Sequence, residues 1–281
     1  MSPKHSLPSN IYIFLMSLYC LELSPIGFQD KALATPYHAT ELATDKTPDF
    51  TWSERWFTHF SWQSSGYIDG VRTAYGRMNK EPLRARAGIK HMNVNLRRIM
   101  TVLENLDEHW QWAPNCKKSK SFAPQDLHGS GPEHEAVKRQ VVVIETGPFR
   151  QQGVFSLHCV RREGSSIFIN TYGDKARSPE DHDLTQKCGA GELVSSLRLT
   201  PDPNNPQKTF TELKIFVRPQ GVPLPNSAIN RLLRDIAARY LNSLEAQAQQ
   251  LQNTDIQDPK LSQMTQEAYT ASKREPPVLP S

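Results

Sequence analysis

The sequence predicts an α+β fold: a mostly antiparallel, curved sheet with one long amphipathic helix near the C-terminal end. Three observations carry this. Strand-like segments cluster between residues 136 and 217 and do not alternate with helices, which argues against a doubly wound parallel sheet. Leu96, Ile99, Met100, Leu103 and Leu106 form one apolar stripe at helical spacing. From Pro225 onward, Ile229, Leu232, Leu233, Ile236, Tyr240, Leu241 and Leu244 form a longer stripe, on a helix of about 24 residues. That stripe has to be buried, and the sheet is the only large surface available to it.

Composition sets the limits. The chain has 281 residues, 37% of them apolar and 22% charged, enough to bury a core. Four cysteines exclude a disulfide-dense mini-scaffold. The net charge of +4 comes without a Lys/Arg run dense enough for a nucleic-acid arm, so no nucleic-acid partner is expected.

The elements follow in order. Residues 11–21 are an apolar run behind Lys4 and His5, and Ala32-Leu33-Ala34 is a small-x-small site. This reads as a secretory signal over residues 1–34, placing the protein in the periplasm; an uncleaved membrane anchor is the alternative. Residues 51–62 read as a short aromatic helix with Trp52, Trp56, Phe57 and Phe60 on one side. Gly66–Tyr75 reads as a strand, and Asn79–Pro82 as a turn. Leu83–Lys90 alternates apolar with basic residues, which places Arg84, Arg86 and Lys90 on one solvated face. Asn93 or Asn95 caps the following helix, and Pro114 stops it.

Strand signals then run through Ala136–Glu145, Gly153–Arg162, Ser165–Tyr172, Glu192–Thr200 and Lys208–Val217. Turns are expected at Glu163-Gly164 and across residues 201–206. Pro225, Asn226 and Ser227 open the long helix. After Gln250 the chain is polar and Pro-ended, and residues 250–281 read as a disordered tail.

Catalytic motifs are absent. Gly129-Ser130-Gly131 and Gly189-Ala190-Gly191 lack a third glycine, no Walker loop or Gly-x-Ser-x-Gly elbow occurs, and His134-Glu135 lacks a second histidine four residues on. His128, His134 and residues 180–183 read as solvated loop groups, so neither a metal nor a cofactor is expected. Cys116, Cys159 and Cys188 would remain after cleavage, with no pairing assigned; Cys159 reads as a small buried apolar residue.

Three stretches carry a resemblance. Gly70–Arg77, Arg84–Ile89 and the helix closing in Asp107 and Trp112 form an opening of two strands and a helix. Thr209–Phe216, then Pro219, Gly221 and Pro223, then Asn226, form a closing strand, a Pro-x-Gly-x-x-Pro turn and the start of a helix. Gly147-Pro148-Phe149 is a Pro-aromatic loop. In this order they resemble the START (steroidogenic acute regulatory protein-related lipid-transfer) family over residues 50–249, in a secreted bacterial form. Two positions depart from the family's pattern: Gln152-Gly153 stands in place of Arg-Asp, and Arg218 in place of an acid.

The resemblance implies a helix-grip fold whose sheet and last helix enclose an apolar tunnel. The tunnel would take a sterol, phospholipid or fatty-acyl lipid, with transient contact at a membrane surface and no covalent catalysis. Trp112, Phe149, Phe155, Phe168, Phe216, Ile229, Leu233 and Ile236 would line it, although a one-residue slip in strand facing would reverse the list. A grip-fold enzyme on an apolar substrate is the alternative, with Glu192, Glu212, His158 and Lys187 as candidate titratable groups. A non-lipid module that binds a partner through its tail is a third reading.

Overall fold

The computed structural model describes residues 52–78, 82–122, 135–147, 150–173, 191–219, 225–251 and 255–274. The expected signal segment, Phe149, Lys187, Cys188 and the loop groups at 128, 134 and 180–183 lie outside the described residues.

Helix α1 (Trp52–Thr58) is followed by a hairpin, β1 (Ser61–Ile68) and β2 (Val71–Arg77). The single strand expected over 66–75 is therefore two strands. Asp69 and Gly70 both take positive φ, 48° and 79°, the backbone that a two-residue hairpin turn with Asp-Gly requires. Strand β3 (Arg84–Met92) comes next. Asn95 then caps helix α2 (Leu96–Glu104), its side chain accepting from the Arg98 amide at 2.9 Å. The expected stripe is buried, Leu96 through Leu106.

A short 3-10 turn (Leu106–Glu108) and the four-residue helix α3 (His109–Trp112) lead into β4 (Cys116–Phe122), which the sequence reading did not anticipate. Long antiparallel strands follow: β5 (Glu135–Gly147), β6 (Arg150–Glu163), β7 (Ser166–Gly173), β8 (Gly191–Pro201) and β9 (Thr209–Pro219). The two expected hairpins are present, with Glu163 opposite Ser166 and Pro201 opposite Thr209.

All nine strands form one antiparallel sheet in the order β1-β2-β3-β9-β8-β7-β6-β5-β4. Pairing of β3 with β9 joins its two runs of consecutive strands. The sheet is curved and carries a C-terminal helix, an α+β helix-grip architecture.

The long helix is interrupted. Helix α4 (Asn226–Leu232) stops at Leu233, and α5 (Ile236–Gln250) begins three residues later. Across the break Arg234 and Ile236 donate to carbonyls three residues back, Arg231 and Leu233. The break divides the stripe between two clusters. Ile229 packs with Trp56, Phe57, Phe60, Val194 and Phe216. Ile236, Ala237, Leu241 and Leu244 pack with α2 and the other face of the sheet. Burying each large side chain in these clusters contributes roughly 1.5–3 kcal/mol.

Two further expectations are corrected. Arg86 and Lys90 are not on a solvated face, because α4 and α5 lie over them. Arg86 donates to the Asn230 carbonyl at 2.7 Å and is 7% exposed, and Lys90 pairs with Glu245. The C-terminal segment is not a disordered tail throughout: Pro259–Arg274 is helix α6, which buries Leu261, Met264, Thr265 and Ala268. Asp258 caps it, accepting from the Lys260 amide at 3.0 Å. Glu267 pairs with Arg162 at 2.9 Å, and the Tyr269 hydroxyl accepts from the Leu96 amide at 2.9 Å.

Candidate functional site

Strand alternation gives the sheet two apolar faces with different jobs. On β9, Leu213, Ile215 and Val217 point to the side of α5, while Phe216 between them points to α1. The same parity holds along β8, where Leu193, Ser195 and Leu197 share the α5 side and Val194 goes to the α1 cluster. Ile169 and Thr171 of β7 and Gln140, Val142 and Ile144 of β5 continue the α5 side.

Between this face and α5 lies a cavity of about 870 Å³, counted with its open mouth. Ile236 and Tyr240 of α5 form its roof. A smaller adjoining space of about 350 Å³ shares Leu103, Leu106, His158 and Ile169 with it and is walled on the far side by Leu261 of α6.

One end of the cavity is polar. His109 is buried, and its Nδ1 lies 3.0 Å from Gln140 Nε2. The same Gln140 amide donates to the Leu106 carbonyl at 3.1 Å. The His109 ring stands edge-on to Trp112, with centroids 4.8 Å apart, and Trp112 meets Tyr240 at 5.2 Å. His158 is 6.1 Å from His109, and the Thr171 hydroxyl is 3.3 Å from its Nδ1.

Burial sets the ionisation of this end. It holds the His109 imidazole down at about 4, so the ring is neutral near pH 7. Burial pushes the Cys116 thiol up to about 11, and the Tyr240 phenol is raised by burial and then by Cys116. None of the described side chains lining the cavity is Asp, Glu, Lys or Arg.

Of the expected lining residues, Ile236 lines the cavity. Trp112 is buried behind it, against His109 and Tyr240. Phe216 and Ile229 belong to the α1 cluster, and Leu233 packs at the edges of both clusters. Phe155 opposes Val141 and so shares the parity of the other face. Phe168 stacks under Arg161 and Arg198, at 4.5 and 5.8 Å. The one-residue slip is thus the physical reason for the strand corrections.

Among the alternative titratable candidates, His158 lines the cavity. Glu192 and Glu212 lie on the opposite parity and pair with Arg218 and Lys214. His109 and Gln140 were not singled out. Their signal was a histidine one turn before Trp112, and a polar residue at the cavity parity beside the Val141–Ile144 run.

No family model matches the chain, and no curated protein matches it in sequence. Solved structures do match. A STAR-related lipid transfer protein fragment from Xanthomonas axonopodis superposes with a TM-score of 0.55 at 14% identity, covering 67% of this chain and 99% of that one. Human StAR-related lipid transfer protein 5 gives 0.57 at 13% identity, covering 75% and 97%. Human STARD10 gives 0.57 at 13% identity, covering 83% and 90%. At these identities the likeness is one of architecture, and the chain carries the START-type helix-grip fold.

Proposed function

We propose that this chain binds a hydrophobic ligand, a sterol, phospholipid or fatty-acyl lipid, in the cavity beneath α5, and that it serves lipid transfer or sensing without covalent catalysis. The observation that carries the reading is the cavity itself: a mainly aliphatic space kept open between a sheet and a helix. Enclosing a lipid there stabilises the complex by roughly 25 cal/mol for each Å² of apolar surface removed from water. The solved structures of the same architecture include proteins named for lipid transfer, which supports the reading. Native mass spectrometry of the purified chain, with extraction of any bound lipid, tests it. A stoichiometric lipid is expected; a chain that is empty and takes up no sterol, fatty acid or phospholipid refutes it.

The proposal extends to place. The apolar run at residues 11–21 and the small-x-small site ending at Ala34 support export to the periplasm, with transient contact at a membrane during exchange. A mature N-terminus at Thr35 in a periplasmic fraction is the expected result, whereas retention of Lys4 on a membrane-bound chain favours the anchor.

A second reading is a cyclase-, dehydratase- or hydrolase-like enzyme using the same cavity. It is favoured by the approach of His109 and His158 in the wall. A proton acceptor works best when its pKa is near the operating pH, and His109 is far below it. No carboxylate lines the described cavity to assist it. Binding is therefore the better supported reading.

A further inference from the structure

We infer that His109 Nε2 is the polar anchor of the cavity, a fixed N–H donor that selects an uncharged ligand with a hydroxyl or carbonyl oxygen over a carboxylate or a plain hydrocarbon. The inference rests on the binding function proposed above and narrows its ligand class.

The tautomer follows from the hydrogen bonds. The Leu106 carbonyl can only accept, so the Gln140 atom facing it at 3.1 Å is the amide nitrogen. The second hydrogen of that nitrogen points to His109 Nδ1, 3.0 Å away. Nδ1 is thus an acceptor, and in a neutral imidazole the proton resides on Nε2. Nε2 is buried and has no hydrogen-bond partner among the described residues, while the ring to which it belongs lines the cavity. A buried N–H without an acceptor is costly, and a ligand oxygen removes that cost.

The same surroundings disfavour charge. No lysine or arginine lines the described cavity, so a carboxylate or phosphate drawn to this end would be buried without a counter-ion. The ring stays neutral at physiological pH and supplies none. A charged headgroup, where the ligand has one, is therefore disfavoured beside His109.

The test is displacement of N-phenyl-1-naphthylamine, a neutral dye that brightens in apolar cavities. The competitors are dodecane, 2-dodecanone, 1-dodecanol and dodecanoate at pH 7.5. Wild-type protein is expected to prefer the ketone and alcohol over the alkane by about five- to tenfold, the worth of one neutral hydrogen bond, with dodecanoate weaker than both. His109→Phe is expected to bring ketone and alkane to equal affinity, read as the ratio of their displacement constants. Gln140→Met frees the tautomer and is expected to reduce the ketone preference about two- to threefold; it serves if His109→Phe does not fold. Nitrogen NMR of the wild-type ring is expected to show the proton on Nε2, with that signal moving when 2-dodecanone binds.

Equal wild-type affinity for ketone and alkane, an unchanged preference in the folded variants, or a proton on Nδ1 overturns the inference and leaves the cavity reading standing. Failure of the wild-type protein to take up the dye and every competitor overturns the cavity reading, and this inference falls with it.

Discussion

Replacing Met264 with alanine tests whether α6 belongs to the folded body. Met264 is 2% exposed and Leu261 3% exposed, both within the cluster that contains α2 and α5. Truncating one such side chain removes its transfer free energy and leaves a cavity, together about 2–5 kcal/mol. Against a typical total of about 5–15 kcal/mol, that is a large fraction. A third measure comes from Tyr269→Phe, which leaves the Leu96 amide without its acceptor and costs about 1–3 kcal/mol. Gln266→Ala, on the exposed side of the same helix, is the control and stays within about 0.5 kcal/mol. Urea denaturation followed by circular dichroism reads Met264→Ala, Leu261→Ala, Tyr269→Phe and Gln266→Ala against the wild-type protein, and the slope with urea is expected to be unchanged. If Met264→Ala and Leu261→Ala are as mild as Gln266→Ala, α6 is not docked and the reasoning fails. For the same reason, ending the chain after Leu251 is expected to weaken the whole domain.

Other outcomes follow from the same packing. The folded His109 resists protonation down to about 4 while the unfolded chain takes up a proton near 6.5. Stability therefore falls as pH drops through that window, by about 2 kcal/mol between pH 7 and pH 5 from this group alone. Urea titrations at the two pH values are expected to show that slope reduced in His109→Phe; equal slopes refute the assignment. Phe216→Ala empties part of the α1 cluster and is expected to cost about 3–5 kcal/mol, with lipid capacity of the folded fraction unchanged in a uptake assay. Ser195→Phe fills the cavity from β8 and is expected to abolish lipid uptake while the far-ultraviolet spectrum stays native; retained stoichiometric lipid moves the site elsewhere. A Cβ at Gly88 would stand 3.1 Å from Leu241 Cδ1 and from Val71 Cγ1. Gly88→Val is thus expected to push α5 off the sheet and lower the melting temperature, at a cost of about 1–3 kcal/mol.

Periodicity made most of the elements legible. The stripe from Leu96 to Leu106, the Asn95 cap and both long hairpins follow from side-chain spacing and turn residues that act locally. Strand β4 was hidden because Cys116–Phe122 carries three lysines and no alternation of large apolar residues. It is the edge strand next to β5, where lysines discourage pairing with another chain. Helix α6 had a readable start in Asp258-Pro259, a cap followed by a proline at the first helical position. Its stripe includes Thr265, Ala268 and Ser272, which are buried but only weakly apolar, so hydropathy alone did not reveal it. The lining was misread for a related reason. Large aromatics were expected around a ligand, yet Phe216 joins Trp56, Phe57 and Phe60 in the solid cluster. The cavity persists where short or slender side chains, Ser195, Thr171 and Ala113, leave space.

The position of the cavity follows from how α5 straddles the sheet. Over β3 the absence of a side chain at Gly88 lets Ala237 and Leu241 come down onto the backbone, with Val71 beside them. One residue back along the helix from each, Ile236 and Tyr240 face β5, β7, β8 and β9 across open space. One flank of the helix is thus packed to contact while the other is held away, with Trp112 wedged against Tyr240. Such a gap forfeits the dispersion contacts that a filled interior would make, and His109 Nε2, without a partner among the described residues, adds the cost of a buried donor. Both deficits are confined to the place where a ligand would sit. A ligand that fills the space and accepts from Nε2 removes both at once, so binding and folding are linked through the same atoms. By that linkage a ligand at a hundred times its dissociation constant stabilises the fold by about 2.7 kcal/mol. The gain is expected to shrink in His109→Phe by the share that the hydrogen bond contributes.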